Sequence, residues 1–237
     1  MSGRKSFIKH VDNYDQVSGL SLERIKALSD GVFSISLTLL VLDISIPVHD
    51  QIKNESDLAN AFVSLSPKLL TYFLSFVTLG IFWTAHTSQL HYMEKSDRNF
   101  NWLNLFFLLF ITTMPFTTAF LSEFIHFKFA IGLYWLNLFI IGAMLFGTLH
   151  YGLQHHLFQP YVAAKNEIIK AMKKRGIVAQ ALYATGAALS FVSTYLSLAI
   201  LITVQLFFVF GLSKTRSEKI RPTAGKSVDP DKNANQA

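Results

Sequence analysis

Long apolar stretches alternate with short polar segments along the chain. Residues 28–46, 69–84, 103–122 and 129–149 contain no Lys, Arg, Glu or Asp, except for two aspartates in the first stretch. Each stretch approaches the ~20 residues with which an α-helix crosses the ~30 Å hydrocarbon layer of a bilayer. The pattern therefore predicts four membrane-spanning helices in the first two thirds of the chain.

A fifth uncharged stretch, residues 176–212, is too long for one crossing. As a single helix it would extend for about 55 Å at ~1.5 Å per residue. Two helices joined by a tight turn near residues 191–195 fit the membrane better, so the prediction becomes six spans. The segment before it, residues 159–176, alternates apolar and basic positions, which is typical of a helix on the membrane surface.

The basic residues indicate how these six spans are oriented. If both termini are cytoplasmic, 18 of the 21 Lys and Arg residues lie on the cytoplasmic side, as the positive-inside rule requires. The exceptions are Lys53, Lys68 and Lys128. With five spans, the basic residues of the C-terminal tail would lie outside, which the rule disfavours.

The composition is typical of an integral membrane protein. Hydrophobic residues make up 51% of the chain and charged residues only 15%, which is unusual for a soluble domain. We predict an all-α protein of the cell membrane with a cytoplasmic N-terminal segment (residues 1–20), a six-helix transmembrane domain (residues 21–213) and a basic, disordered cytoplasmic tail (residues 214–237). Membrane lipid is an expected partner, and nothing further favours nucleic-acid binding.

Two prolines indicate local features of the spans. Ser66 is predicted to cap the second span, with Pro67 in the first turn, where no amide partner is needed. Pro115 lies inside the third span, where a proline frees a backbone carbonyl and bends the helix. We expect this bend to be structural, with a gating hinge as the alternative.

The first span carries more polar groups than a lipid-exposed helix tolerates. At ~3.6 residues per turn, one narrow stripe contains Gly31, Ile35, Thr38 and Leu42. The neighbouring stripe contains Asp30, Ser34, Val41 and Ser45, and a third face contains Ser29, Ser36 and Asp43. Because polar side chains occur on so many sides, we expect this helix to be buried within protein or to line water.

Asp30 needs partners, because an unpaired carboxylate inside a membrane costs several kcal/mol. Arg24 precedes it in the same helix, and His86 in the second span is expected at a similar depth. With Ser29 and Asn104, these residues are predicted to form a buried polar cluster at the cytoplasmic ends of the helices. Its expected role is to hold the helices together, and a proton relay is the alternative.

The residues available for chemistry argue against an enzyme. The chain has no cysteine, which excludes disulfides, thiol nucleophiles and Cys-based zinc sites. Its eight histidines show neither His-x-x-His nor His-Glu-x-x-His spacing. No catalytic residue, metal site or cofactor is therefore expected.

The first span also contains a family motif. The sequence RIKALSD at residues 24–30, followed by LVLDISIP at residues 40–47, resembles the first helix of the transmembrane protein 175 family. That family comprises potassium channels of bacteria, archaea and animal endolysosomes. Its pattern is Arg, three residues, then Phe-Ser-Asp, and here Leu28 replaces the Phe.

Two further motifs continue the resemblance. FWTAH at residues 82–86 is similar to a second family signature through Trp83 and His86. WLNLFFLLFITTMPF at residues 102–116 is similar to a third through Asn104 and the Pro-Phe pair at its end. By motif, the resemblance extends from about Leu22 to Tyr151, and beyond that only the number of spans supports it.

The resemblance implies a homotetramer of six-helix subunits, as in prokaryotic members, that conducts K⁺ with a modest preference over Na⁺ and needs no cofactor. It implies a pore lined by the first helix and constricted by rings of branched aliphatic side chains. The pore residues that we assign are Gly31, Ile35, Thr38 and Leu42, with Ser34 and Val41 as the second choice. The structural polar network that we assign contains Arg24, Ser29, Asp30, Trp83, His86 and Asn104.

A secondary transporter or a proton-coupled carrier is the alternative function. Transporters of this kind usually contain repeated halves and helices that are broken near the middle of the membrane. The sequence shows no internal duplication, and Pro115 is the only such break that it predicts. A channel is therefore the preferred interpretation.

Overall fold

The computed structural model describes residues 22–45, 52–159, 165–193 and 196–206, and these residues are mostly α-helical. The helices are α1 (Leu22–Leu39), α2 (Glu55–Ser64), α3 (Ser66–His91), α4 (Arg98–Thr112), α5 (Met114–Glu123), α6 (Lys128–Gln154), α7 (Lys165–Ser190) and α8 (Leu196–Leu206). A 3-10 turn, Leu40–Asp43, extends α1. The predicted N-terminal segment (1–20) and C-terminal tail (214–237) lie outside the described residues.

Four spans are long and apolar enough to cross a membrane, and they coincide with the first four predicted ones. They are Leu22–Asp43, Ser66–His91, Arg98–Glu123 and Lys128–Gln154. α8 is a shorter apolar helix. The predicted all-α membrane fold is therefore confirmed for the described part of the chain.

Contacts at one end of the helix bundle, which we call the distal end, show how the spans alternate. The Ser122 hydroxyl, near the end of α5, donates to Asp43 Oδ2 over 2.8 Å. The Lys68 ammonium, at the start of α3, lies 3.4 Å from Glu123 Oε2. The end of the first span, the start of the second and the end of the third therefore lie together.

The opposite end, which we call the proximal end, contains its own apolar cluster. Its buried members are Ile25, Leu90, Met93, Phe100, Leu149, Leu157 and Phe158. Met93 and Phe158 form a β-bridge there, and the Glu94 N–H donates to the Leu157 carbonyl over 2.9 Å. The start of α1, the end of α3, the start of α4 and the end of α6 meet at this end, as alternating spans require.

The start of α3 differs from the prediction. Leu65, not Ser66, occupies the N-cap position, and no side chain caps the helix. The reason is that α2 ends at the preceding residue, so the backbone enters α3 already in helical conformation. Pro67 lies in the first turn, as predicted. α2 was not predicted from the sequence, although Asn54 caps it by accepting from the Asp57 N–H over 2.9 Å, a recognisable start signal.

The third span is interrupted close to Pro115, where the sequence predicts a bend. α4 ends at Thr112 and α5 begins at Met114, with Pro115 in its first turn. The Thr113 hydroxyl, at the break, donates to Asn137 Oδ1 of α6 over 2.9 Å. A neighbouring helix therefore supplies a polar partner where the regular backbone pattern is interrupted.

The sequence predicted a surface helix at residues 159–176, followed by a separate span that starts at Gly176. The structure differs at α7, which is one continuous helix, Lys165–Ser190. A single glycine within a helix costs only ~1 kcal/mol, so Gly176 does not interrupt it. The basic segment and the apolar segment therefore belong to the same rod.

The turn predicted near residues 191–195 follows α7 at the distal end, and its described residues confirm it. The Lys128 ammonium, at the start of α6, donates to the Phe191 carbonyl over 2.6 Å. α8 then returns beside α3, because the Gln205 side chain donates to the Leu74 carbonyl over 2.8 Å. α7 and α8 thus run in opposite directions.

A glycine allows α6, α7 and α8 to approach closely. A Cβ atom on Gly186 of α7 would lie 2.4 Å from the Trp135 ring of α6. The Trp135 N–H donates to Ser197 Oγ over 2.9 Å, and the Ser197 hydroxyl donates to the Gly186 carbonyl over 2.7 Å. These contacts join the last three helices.

Candidate functional site

α1 has two unlike faces. Its buried face consists of Ile25, Ser29, Phe33, Ser36 and, in the 3-10 turn, Leu40. This face packs against α3 and α4. The opposite face has no cover from the described part of its own chain.

The stripe predicted to line a pore lies on this uncovered face. All of its residues are exposed: Gly31, Ile35, Thr38 and Leu42. Leu42 is 73% exposed and Ile35 60% exposed, so these large apolar side chains project away from the subunit. The second-choice residues, Ser34 and Val41, are exposed on the same side. The geometry of one subunit therefore does not separate the two stripes.

The Thr38 hydroxyl donates its hydrogen to backbone carbonyls of α1. Its Oγ1 lies 2.8 Å from the Ile35 carbonyl and 3.2 Å from the Ser34 carbonyl. Such back-bonding is ordinary for threonine in a membrane helix. Because a hydroxyl also has two acceptor lone pairs, the oxygen can still face a cation on the exposed side.

Three residues of the predicted network form a buried chain of hydrogen bonds. Asn104 of α4 lies in the middle, with its Oδ1 2.7 Å from His86 Nε2 of α3. Its side-chain N–H donates to Ser29 Oγ of α1 over 3.3 Å. The exposed fractions are 1% for Asn104, 2% for His86 and 1% for Ser29. One asparagine therefore joins three helices at a site from which water is excluded.

Aromatic rings enclose this chain. The His86 and Phe107 rings are stacked with centroids 4.8 Å apart, and the Phe33 centroid lies 6.1 Å from that of His86. Apolar surroundings strengthen a satisfied polar network and make the loss of a partner more costly. The site is therefore suited to fix the position of α1.

Asp30 and Trp83 form a separate, exposed pair. The Trp83 N–H donates to Asp30 Oδ1 over 2.8 Å, and Trp83 is 42% exposed. Arg24 is also exposed, and it makes no hydrogen bond or ion pair with any residue that the structure describes. The structure therefore does not bring Arg24 to Asp30. Leu28, which departs from the family pattern, is 41% exposed, so that change falls on the surface of the subunit.

Several polar contacts within the spans were not predicted from the sequence, and two of them lie outside the network described above. One is the Asp43–Ser122 hydrogen bond at the distal end. The other is a buried group near the middle of α3, where Ser75 Oγ lies 3.1 Å from the Tyr134 hydroxyl and accepts from the Thr118 hydroxyl over 2.7 Å. The available signal was the presence of polar side chains inside uncharged spans, because such groups face protein rather than lipid.

The fold and this site together define a polytopic helical membrane protein. A family model described as "Endosomal/lysosomal potassium channel TMEM175" matches residues 24–115. The matched segment contains the first two motifs noted in the sequence and all of the third except its last residue, Phe116. It also contains every residue of the buried hydrogen-bonded chain.

Relatives extend the similarity over most of the chain. A potassium channel of Chamaesiphon minutus is 31% identical over 190 residues, which is 78% of this chain and 92% of that protein. A potassium channel of Streptomyces collinus is 33% identical over 79% of this chain and 91% of that protein. The chain therefore belongs to the TMEM175 family, a family of ion channels and not of enzymes.

A solved structure and a vertebrate relative complete the comparison. The crystal structure of a lysosomal potassium-selective channel TMEM175 homolog from Chamaesiphon minutus has a TM-score of 0.71 and 28% sequence identity, and the match covers 80% of this chain and 96% of that one. The endosomal/lysosomal proton channel TMEM175 of Gallus gallus is 40% identical over 110 residues, which is 44% of this chain and 22% of that protein.

Proposed function

We propose that the protein is a potassium-permeable channel of the cell membrane, in which a homotetramer encloses a pore lined by the first helix. K⁺ passes down its gradient without coupling to another ion and is modestly preferred over Na⁺. Relatives named as potassium channels support this choice of ion. The observation that carries the proposal is the uncovered face of α1, on which hydroxyl groups lie among exposed aliphatic side chains.

This face is unsuited to lipid. It combines Gly31, Ser34 and Thr38 with exposed aliphatic side chains, and small and hydroxyl-bearing residues are typical of helix contacts within protein. The first span is also the least buried of the four. Within its apolar segment 28% is buried, against 39% to 44% for the other three spans. Further copies of the chain around a shared axis would cover this helix and leave a polar stripe facing water.

Ile35 and Leu42 are suited to constrict such a pore. Four copies of an aliphatic side chain around an axis form a hydrophobic collar, which closes by dewetting. The two positions are separated by ~10 Å along the helix, at ~1.5 Å per residue. Thr38 lies between them, and its free lone pairs can replace some of the water around an ion. Since four hydroxyls supply fewer oxygens than a carbonyl-lined filter, selectivity is modest.

We propose six spans per subunit, with both termini in the cytoplasm. The reversal of direction between α7 and α8 supports two crossings beyond the four established ones. The proximal end then faces the cytoplasm, because most basic residues lie in segments next to that end.

Within this channel, the buried chain of Ser29, His86 and Asn104 holds the pore helix against its own subunit. The chain is closed between three helices, and the exposed Asp30–Trp83 pair is not hydrogen-bonded to it. These contacts favour a structural role over the alternative, a proton relay.

Proton conduction is a second candidate function, because vertebrate relatives are named as proton channels. Ion flux through the purified protein in liposomes distinguishes the two. Vesicles loaded with KCl are diluted into NaCl, and the proton entry that balances K⁺ efflux is followed with a pH-sensitive dye. A protonophore is added to one sample and omitted from the other.

If the protein is a potassium channel, we expect rapid proton entry that requires the protonophore. Valinomycin, which carries K⁺ across every vesicle membrane, is added at the end to give the maximal proton entry. Entry without the protonophore, once valinomycin supplies the K⁺ efflux, would assign proton conduction to the protein. A flux that saturates and needs a second ion would assign a transporter, and flux no greater than in empty vesicles would refute the proposal. Light scattering in detergent tests the architecture separately, because four subunits are expected and a monomer would contradict it.

A further inference from the structure

A cleft of about 370 Å³ lies near the proximal end between α3 and α7, with α6 as its floor. Phe82 and Tyr183 lie on its facing walls, with ring centroids 6.3 Å apart. Leu145, Phe146 and Leu149 contribute to the apolar floor. The volume falls within the ~300–1,000 Å³ of ligand sites and exceeds twice the ~150 Å³ that accommodates a benzene. Part of one acyl chain therefore fits.

The cleft has a positively charged rim. Arg175 of α7 lines it and is exposed. Lys170, Lys173 and Lys174 precede Arg175 in the same helix. Among the residues that the structure describes, none of these four forms an ion pair. An apolar cleft with a basic rim is complementary to an amphiphile with a negatively charged headgroup.

An unsatisfied amide also lines the cleft. Gln180 Oε1 is buried and has no hydrogen-bond partner among the described residues. The Gln180 side chain lies against Gly142 of α6, where a Cβ atom would clash with its Nε2. A buried acceptor without a donor costs free energy, so this amide favours an occupant that brings a donor. A water molecule held between this amide and the lipid meets that need.

We propose that the cleft binds an anionic phospholipid of the bilayer, with the phosphate at Arg175 and one acyl chain between α3 and α7. Basic pockets between membrane helices on the cytoplasmic side bind anionic headgroups in the same manner. None of the lining residues belongs to α1, so this lipid site is separate from the proposed pore and does not depend on it.

The absence of cysteine from the chain provides a direct test. Ser88→Cys introduces a single thiol on an exposed part of the cleft wall, where the native hydroxyl bonds only to its own helix at the Thr84 carbonyl. A fluorophore on this thiol reports contact with phospholipids that carry a nitroxide on an acyl chain. The labelled protein is placed in phosphatidylcholine vesicles with a small fraction of nitroxide-labelled phosphatidylglycerol or phosphatidylcholine.

We expect phosphatidylglycerol to quench the fluorophore at a lower fraction than phosphatidylcholine does. Arg175→Gln should lower this preference about five-fold, since one basic side chain near a membrane surface contributes ~1 kcal/mol toward an anionic lipid. Lys174→Gln is the matched control, because Lys174 is the adjacent exposed cation and does not line the cleft. It should change the preference less than Arg175→Gln does.

A second variant tests the acyl-chain part of the site. Gly176 lines the cleft, and a Cβ atom there would meet only the Phe146 ring at 3.7 Å, an ordinary contact. Gly176→Phe should therefore fill the cleft without a backbone clash and reduce quenching by both lipids. Equal quenching by the two lipids, or equal effects of Arg175→Gln and Lys174→Gln, would overturn the proposal. Absence of quenching by either lipid would show that protein covers the cleft and would overturn it too.

Discussion

Replacing Asn104 by leucine tests whether the buried hydrogen-bonded chain holds the helices together. The substitution keeps a side chain of similar size but leaves His86 Nε2 and Ser29 Oγ without their observed partner. Hydrogen bonds within membrane bundles contribute ~0.6 kcal/mol on average and ~1.7 kcal/mol at most. A buried polar group left unpaired costs ~1–3 kcal/mol. We therefore expect the free energy of unfolding to fall by ~1–3 kcal/mol.

A double variant shows whether the loss comes from unpaired polar groups. Phenylalanine in place of His86 keeps a ring at the position that now stacks on Phe107 at 4.8 Å. With His86→Phe and Asn104→Leu combined, Ser29 alone keeps a polar group at this site. Because replacing both partners by apolar groups of similar shape is nearly neutral, the double variant should lose less than the sum of the two single variants.

Thermal unfolding in detergent, followed by the loss of the folded peak in size-exclusion chromatography, measures these effects. A loss of ~2 kcal/mol in a chain of this size lowers the midpoint by about 4–8 °C. Thr84→Ala is the control, because this exposed hydroxyl bonds only to the Gly80 carbonyl of its own helix over 2.9 Å; its effect should stay within ~0.5 kcal/mol. The structural role would be refuted if Asn104→Leu unfolded at the wild-type midpoint. If Asn104→Leu unfolded at the wild-type midpoint but showed an altered proton flux, a proton relay would be favoured instead.

Three further predictions concern the pore and the packing. Thr38→Ala should change the K⁺/Na⁺ preference in liposome flux, and an unchanged preference would move selectivity to the neighbouring stripe. Leu42→Ala should raise the resting flux because it would widen the proposed hydrophobic collar, and an equal or lower flux would exclude Leu42 as a constriction. Gly186→Ala should lower the free energy of unfolding by ~1–3 kcal/mol through overpacking against Trp135. Gly132→Ala, with no heavy atom within 4 Å, is its control, and equal unfolding of the two variants would contradict the packing argument.

The first four spans were predictable because a lipid environment requires long uncharged stretches. For α7, the hydropathy pattern gave a wrong boundary. Its first half carries basic residues and its second half is apolar, so hydropathy divided one helix, Lys165–Ser190, at Gly176. Hydropathy reports the surroundings of a segment and not the continuity of its backbone. Similarly, Ser66 looked like a helix cap because its side chain suits that position, whereas α2 had already set the backbone direction.

The candidate site was predictable by residue type but not by orientation. A period of ~3.6 residues determines which side chains share a face of α1, but not which face meets the rest of the subunit. The structure turns Ser29 and Ser36 inward and leaves Ser34 and Thr38 exposed. Helix geometry also explains why Arg24 does not reach Asp30: six residues at ~100° each place the two side chains about 120° apart around the helix. Contact depends on that angle as well as on sequence distance.

The break at Thr113 means that two separate helical segments attach to the two ends of α1. The segment before the break reaches Ser29 through Asn104, and the segment after it reaches Asp43 through Ser122. If the angle between α4 and α5 changed, one attachment point would shift while the other stayed in place. α1 would then tilt about its proximal end, and its distal end would move across the membrane plane.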